Sequence, residues 1–136
     1  MPGPRVYSIT QARELVPRIA AIFLEIDGIK KKLRIANIRA NALELIWGAR
    51  VHEPDCPDHL EFLHHLEEMK HLEDDVDALT RRIGRLGGQV KSVDPARVDF
   101  FGVREGRLVQ WCWTRGETTI ERWHHVDEGF TGRQHA

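Results

Sequence analysis

Cysteine is scarce in this chain. Only Cys56 and Cys112 occur, and no CxxC pair is formed. A disulfide framework is thereby excluded, and two reduced thiols in a cytoplasmic protein are the natural expectation. Long apolar runs are missing too. The run from Ile19 to Phe23 is far too short to span a bilayer, and Met1 to Arg5 lacks the apolar core of a signal peptide. Neither charge sign dominates: 20 Lys and Arg face 21 Asp and Glu, for a formal net charge of −1. A general polyanion binder normally carries a clear basic excess, so nucleic acid is not an expected partner. There is no phosphate-binding glycine loop, no serine-centred elbow and no internal repeat. What remains is a soluble, cytoplasmic, single domain of 136 residues, long enough to bury a core without staples.

Two long helical patterns fill the first two thirds. Ser8-Ile9-Thr10-Gln11 has the form of a capping box and opens a helix over residues 8–50. Its heptad places Ala12, Ile19, Ile26, Leu33, Ala40 and Trp47 at one core position and Leu15, Ile22, Ile29, Ala36 and Leu43 at the other. Pro17 falls outside this seam, and Gly48 marks the end. After the turn-rich His52-Glu53-Pro54-Asp55-Cys56-Pro57, a second helix spans 57–87. Its seam reads Phe62, Met69, Val76, Ile83 and His65, Leu72, Leu79, Leu86, and Gly87-Gly88 stops it. The short connection makes the helices antiparallel neighbours. The basic run Lys30-Lys31-Lys32 with Arg34 then meets Glu73-Asp74-Asp75 and Asp77, a bland use for that charge. A thin two-helix stalk leaves apolar surface uncovered, which points to a homo-oligomer.

From residue 89 the period shifts to two. Val98–Val103, Leu108–Trp113 and Thr118–Trp123 read as strands of a three-stranded antiparallel meander, turning at Glu105-Gly106 and Arg115-Gly116. The fold class is therefore α+β: a long coiled-coil-like helical hairpin followed by a small β-meander and tail over 89–136. With two-residue turns, Val98, Phe100, Val109, Trp111, Trp113 and Ile120 share an apolar face that packs on the helices. The other face sets Asp99 beside Cys112 and Cys112 beside Thr119. Its next rows are Phe101, Gln110, Glu121 and then Val103, Leu108, Trp123. A bulge at Arg115-Gly116 would instead bring His124 to this face.

The residues Val98-Asp99-Phe100, Cys112-Trp113, Gly116-Glu117, Trp123-His124, Gly129-Phe130 and Arg133 resemble the bacterial family called domain of unknown function 2203. The opening Tyr7-Ser8-Ile9, Ala12 and Leu15-Val16-Pro17 is similar to that family's opening, and the likeness spans the whole chain. Arg13 stands where the pattern has Asn. The resemblance implies a helical hairpin with a C-terminal β-element in cytosolic bacterial proteins, and it transfers no activity.

Function is sought in the C-terminal cluster. Asp99, Gln110, Cys112, Glu117, Glu121, Trp123 and Arg133 form the candidate ligand site, and Cys112, Glu121, His124 and His125 the candidate metal set. Thiolate, imidazole and carboxylate are donors that zinc or iron recruits; ion pairs that merely hold the tail are the plainer use of the same groups. Two lesser candidates are the Glu-x-x-His pairs Glu61/His64 and Glu68/His71, whose glutamates flank the seam while the histidines lie away from it, and His52, Cys56 and His59 in a proline-restricted loop. The leading expectation is an oligomeric scaffold or interaction protein with a ligand site on the β-face. The alternative is a metal-binding protein, with or without enzymatic activity.

Overall fold

The structure, a computed structural model, describes residues 5–136; the reading of Met1 to Pro4 lies outside the described residues. Helix α1 runs Ile9–Trp47, and its start is set by a reciprocal capping box. The Gln11 N–H donates to Ser8 Oγ at 3.1 Å and the Ser8 N–H donates to Gln11 Oε1 at 2.9 Å. Pro17 remains inside the helix, on its exposed side. At Gly48 the backbone turns left-handed (φ 61°), and a 3₁₀ turn, Gly48–His52, follows. Helix α2, His59–Arg85, closes in a Schellman motif, with Gly88 N–H on the Ile83 carbonyl and Gly87 N–H on that of Gly84. No helix among the described residues is long and apolar enough to cross a membrane.

The chain forms two compact units. One comprises Leu24–Leu79. Its buried residues, Ile26, Ala36, Ala40 and Leu43 on α1 and Phe62, His65 and Leu79 on α2, are the expected heptad positions. Ala40, Leu43, Val51, Cys56 and Phe62 form a core at the turn, with Trp47 packed against it. Trp47 Nε1 donates to Asp58 Oδ2 at 2.7 Å, tying the loop to the helix before it. His59 Nδ1 lies 2.8 Å from the Val51 carbonyl and the ring of His52 sits edge-on to Phe62. Those two histidines and the buried Cys56 thus serve this turn.

The other unit joins the chain up to Phe23 with Thr80–Ala136. Its centre is an antiparallel sheet of five strands, ordered as in the sequence: β1 Gln89–Val93, β2 Ala96–Arg104, β3 Arg107–Thr114, β4 Arg122–His125 and β5 Gln134–His135. The α+β meander expected from sequence is present, with two more strands than the three read there. Both additions are short, and β5 has only two residues, too few for a periodicity to register. Glu105-Gly106 is the expected two-residue turn, with φ positive at both positions. Between β3 and β4 the connection is longer than two residues. Glu117 shapes it: its carboxylate accepts the Thr114 N–H at 2.6 Å and its carbonyl accepts Trp113 Nε1–H at 3.0 Å.

The apolar face of the sheet carries Val98, Phe100, Val109, Trp111 and Trp113, all buried. Phe23 packs on Trp113 with ring centroids 6.0 Å apart. Gly88 lets the chain pass beside Ile19, Ile83 and Val98, where a Cβ would stand 2.7 Å from Val98 Cγ1. Tyr7 ties the N-terminal segment down. Its N–H reaches the Phe101 carbonyl at 2.7 Å, its hydroxyl the Leu86 carbonyl at 3.0 Å, and its own carbonyl accepts Trp111 Nε1–H at 2.8 Å. Arg13 Nε donates to the Ile120 carbonyl at 3.0 Å, so this side chain holds the β3–β4 connection.

Gly102 shows how tightly this face is packed, because a Cβ there would lie 2.1 Å from Trp111 Nε1. Gly102→Ala should destabilise the protein by about 1–3 kcal/mol, read as a lower urea midpoint. Gly28→Ala, in open space on α1, should raise stability by about 0.5–1 kcal/mol through helix propensity.

Candidate metal centre

The register of β4 decides what faces the polar side of the sheet. On β3, Cys112 pairs with Asp99 of β2, and Gln110 with Phe101. On the far side, Gln110 pairs with His124, Trp111 with Trp123 and Cys112 with Arg122. Compared with the two-residue-turn register, β4 is offset by three residues. An odd offset exchanges the two faces of a strand, so Trp123 joins Trp111 on the apolar side and His124 joins Cys112 on the polar one. The long β3–β4 connection supplies the extra residues.

Three ligand-type side chains meet as a result. Asp99, Cys112 and His124 are 3%, 2% and 3% exposed, and their donor atoms all lie within 4.8 Å of one another. Among the described residues, this is the one group of three or more such side chains gathered closely enough to hold an ion. His124 Nε2 is 3.1 Å from Asp99 Oδ2, and His124 Nδ1 is 2.8 Å from the His125 carbonyl. A carbonyl only accepts, so Nδ1 carries the hydrogen and Nε2 is the atom presented to the cluster. Asp99 Oδ1 is buried without a hydrogen-bond partner. Cys112 has its thiol pKa pushed up to about 12, first by burial and then by the nearby charge of Asp99, with Arg133 pulling the other way. Without a cation the sulfur therefore stays protonated.

The triad lies on the floor of a cavity of about 260 Å³. Gln110 completes the floor, its amide donating to Gln89 Oε1. Lys91 and Arg97 line the rim, and Val126, Gly129 and Phe130 form a wall. Phe130 begins a short 3₁₀ turn, Phe130–Gly132. The guanidinium carbons of Arg133 and Arg97 stand 3.6 and 4.1 Å from its ring centroid. Two guanidiniums that close to one centroid cannot share a face, so the ring is held between them.

Family comparison matches residues 5–136 to the family described as "Uncharacterized conserved protein (DUF2203)". The chain belongs to this family. No curated protein matches it, and no solved structure matches it. Of the DUF2203 signature residues read in the sequence, Asp99, Cys112 and His124 form the triad, and Gly129 and Phe130 wall the cavity.

The remaining sequence candidates fall elsewhere. Glu117 belongs to the β3–β4 connection. Glu121 is exposed ahead of β4, where its carbonyl accepts the Ala136 N–H at 2.8 Å. Trp123 is buried on the opposite face, with Arg104 4.6 Å over its ring and Nε1 on the His135 carbonyl. His125 shares that opposite face, edge-on to Trp123, with Nε2 3.8 Å from Glu128. The face exchange therefore removes Glu121 and His125 from the candidate metal set and Trp123 from the candidate ligand site. Asp99, Gln110, Cys112 and His124 stay together, with Arg133 close enough to act on Cys112. In the helices, His64 and His71 are exposed and belong to no cluster. Lys91 and Arg97 were missed as pocket residues; no local pattern signals them, since each is brought in by strand pairing, whereas Phe130 stood in the family signature.

With its pKa pushed up to about 12, the Cys112 thiol stays overwhelmingly protonated at pH 9, where a free cysteine is largely thiolate. Alkylation of Cys112 in the metal-free native protein, followed by peptide mapping, should stay negligible up to pH 9. Asp99→Asn removes a cause of the shift and should increase labelling there.

Proposed function

We propose that this DUF2203 protein binds a divalent transition-metal ion, zinc before iron, through Asp99, Cys112 and His124. The observation that carries this reading is the buried triad with its unpartnered Asp99 oxygen. Leaving a buried acceptor unsatisfied costs about 1–3 kcal/mol, and a bound cation would offset that cost by engaging the carboxylate. In a tetrahedral zinc site, neighbouring ligand atoms are roughly 3.3–3.6 Å apart, given Zn–N of about 2.0 Å and Zn–S of about 2.3 Å. The 3.1 Å between His124 Nε2 and Asp99 Oδ2 is close to one edge of such a polyhedron. The His125 carbonyl supplies the outer-shell partner that metal-bound histidines normally have. One thiolate and one imidazole suit zinc better than the two-histidine, one-carboxylate set of non-haem iron. Three protein ligands leave a position open toward the cavity, as in zinc sites that act on a bound molecule. Both cysteines are free and buried, which supports a reducing, cytoplasmic setting.

A second reading, self-association through the helical unit, is favoured by a different observation. Within that unit, α1 exposes Leu24, Ile35, Ile38, Leu45 and Ile46, with Leu45 87% accessible. These residues lie on the side of the helix away from its buried heptad, and such a stripe invites a partner.

The metal reading predicts one cobalt or zinc per chain by equilibrium dialysis. Cobalt should give a thiolate charge-transfer band that Cys112→Ser abolishes. His124→Ala should weaken binding by about a hundredfold or more, whereas Glu121→Gln should leave it unchanged. A folded protein that takes up no metal above background, or Cys112→Ser binding as well as the parent, would refute it. For self-association, sedimentation velocity should report an oligomer that Ile38→Glu with Leu45→Glu dissociates; a concentration-independent monomer would end that reading.

A further inference from the structure

The rim of the cavity carries a charge that the metal site alone does not use. Among the described residues, Asp99 is the only carboxylate lining it. A divalent ion held by one thiolate and one carboxylate is neutral as a unit, so Lys91 and Arg97 leave the occupied cavity with a net positive charge. Arg97 is half-buried, which strengthens its demand for an anion, because charges interact more strongly where water is partly excluded.

Both cations are brought there by identifiable structure. Strand β1 pairs Val90 with Val98 and then Ser92 with Arg97, so Lys91 is the extra residue of a β-bulge. Bulges re-aim a side chain relative to a regular strand, and Lys91 lines the cavity. Arg97 lies on the same face of the sheet as Asp99, two residues along β2. Its guanidinium is pinned 4.1 Å over the Phe130 ring, and its Nε is buried with no hydrogen-bond partner. A stacked guanidinium with a buried, unused donor is pre-organised for an oxyanion, which arginine binds in a fixed, planar geometry.

We propose that the cavity takes a small oxyanion, the carboxylate or phosphoryl group of a small molecule, which ligates the metal through one oxygen while Arg97 and Lys91 hold the others. This rests on the metal reading above and adds the class of ligand to it. The volume, about 260 Å³, lies just below the range of ordinary ligand pockets, so the molecule is small. The apolar wall of Val126 and Phe130 would cover its carbon skeleton.

The test is a titration of the cobalt-loaded full chain, followed by visible absorption, with inorganic phosphate in one arm and acetate in the other. The same titrations are run on Arg97→Gln and Lys91→Gln. Each variant's cobalt spectrum before anion is added reports whether the metal site is intact, and Lys91 is exposed, so its replacement does not threaten the fold. The expected result is a saturable change of the cobalt bands with at least one anion, weakened about tenfold or more in both variants. A response to phosphate alone assigns phosphoryl compounds; a response to acetate alone assigns carboxylates. Cobalt bands indifferent to both anions, or a response undiminished in both variants, overturn this inference and leave the metal reading standing. Failure of the parent protein to bind cobalt overturns the metal reading, and this one with it.

Discussion

Everything at the candidate site depends on where β4 docks against β3. Trp123 pairs with Trp111, and sinking both large rings into one face of the sheet fixes the alternation of the whole strand. His124 then has no choice but to point to the polar side, within 3.1 Å of Asp99. The hydrophobic effect places the imidazole: burying Trp123 is worth on the order of 2–3 kcal/mol, more than most individual polar contacts. Asp99 and Cys112 were already neighbours through the Glu105-Gly106 turn, so this second pairing completes the cluster.

The surrounding structure keeps that register from slipping. Glu117 closes the β3–β4 connection on Thr114 and Trp113, and Arg13 reaches over from α1 to the Ile120 carbonyl. On the far side, Trp123 Nε1 donates to His135, and the Ala136 N–H to the Glu121 carbonyl. Phe130, between two guanidiniums, brings the tail over the triad. Glu117, Arg13 and the contacts of the C-terminal strand thus hold the site in shape without lining the cavity, as a pre-organised site requires.

Much of this was legible in the sequence, for definite reasons. The heptads survive because every seam position from Ala12 to Leu86 is buried or partly so, and Ser8 with Gln11 is a local signal with a local outcome. The pairing of Asp99 with Cys112 was readable because Glu-Gly forces a two-residue turn. The third strand was not, since Arg115-Gly116 looks like the same turn and is the start of a longer connection. Of the two registers left open for that strand, the one that brings His124 to the polar face is adopted, which sets this candidate ligand beside Asp99 and Cys112 and takes Trp123, Glu121 and His125 away from them. Lys91 was invisible because a bulge depends on both strands, and β1 is too short to announce itself. The family signature pointed to the right residues without indicating which faces they share.

The most direct test of the central claim is X-ray absorption at the zinc edge of the protein loaded with one zinc per chain. One sulfur scatterer is expected at about 2.3 Å, with the remaining shell of nitrogen and oxygen at about 2.0–2.1 Å including the signature of a single imidazole. A first shell of oxygen and nitrogen alone, with no sulfur, would place the metal away from Cys112 and contradict it.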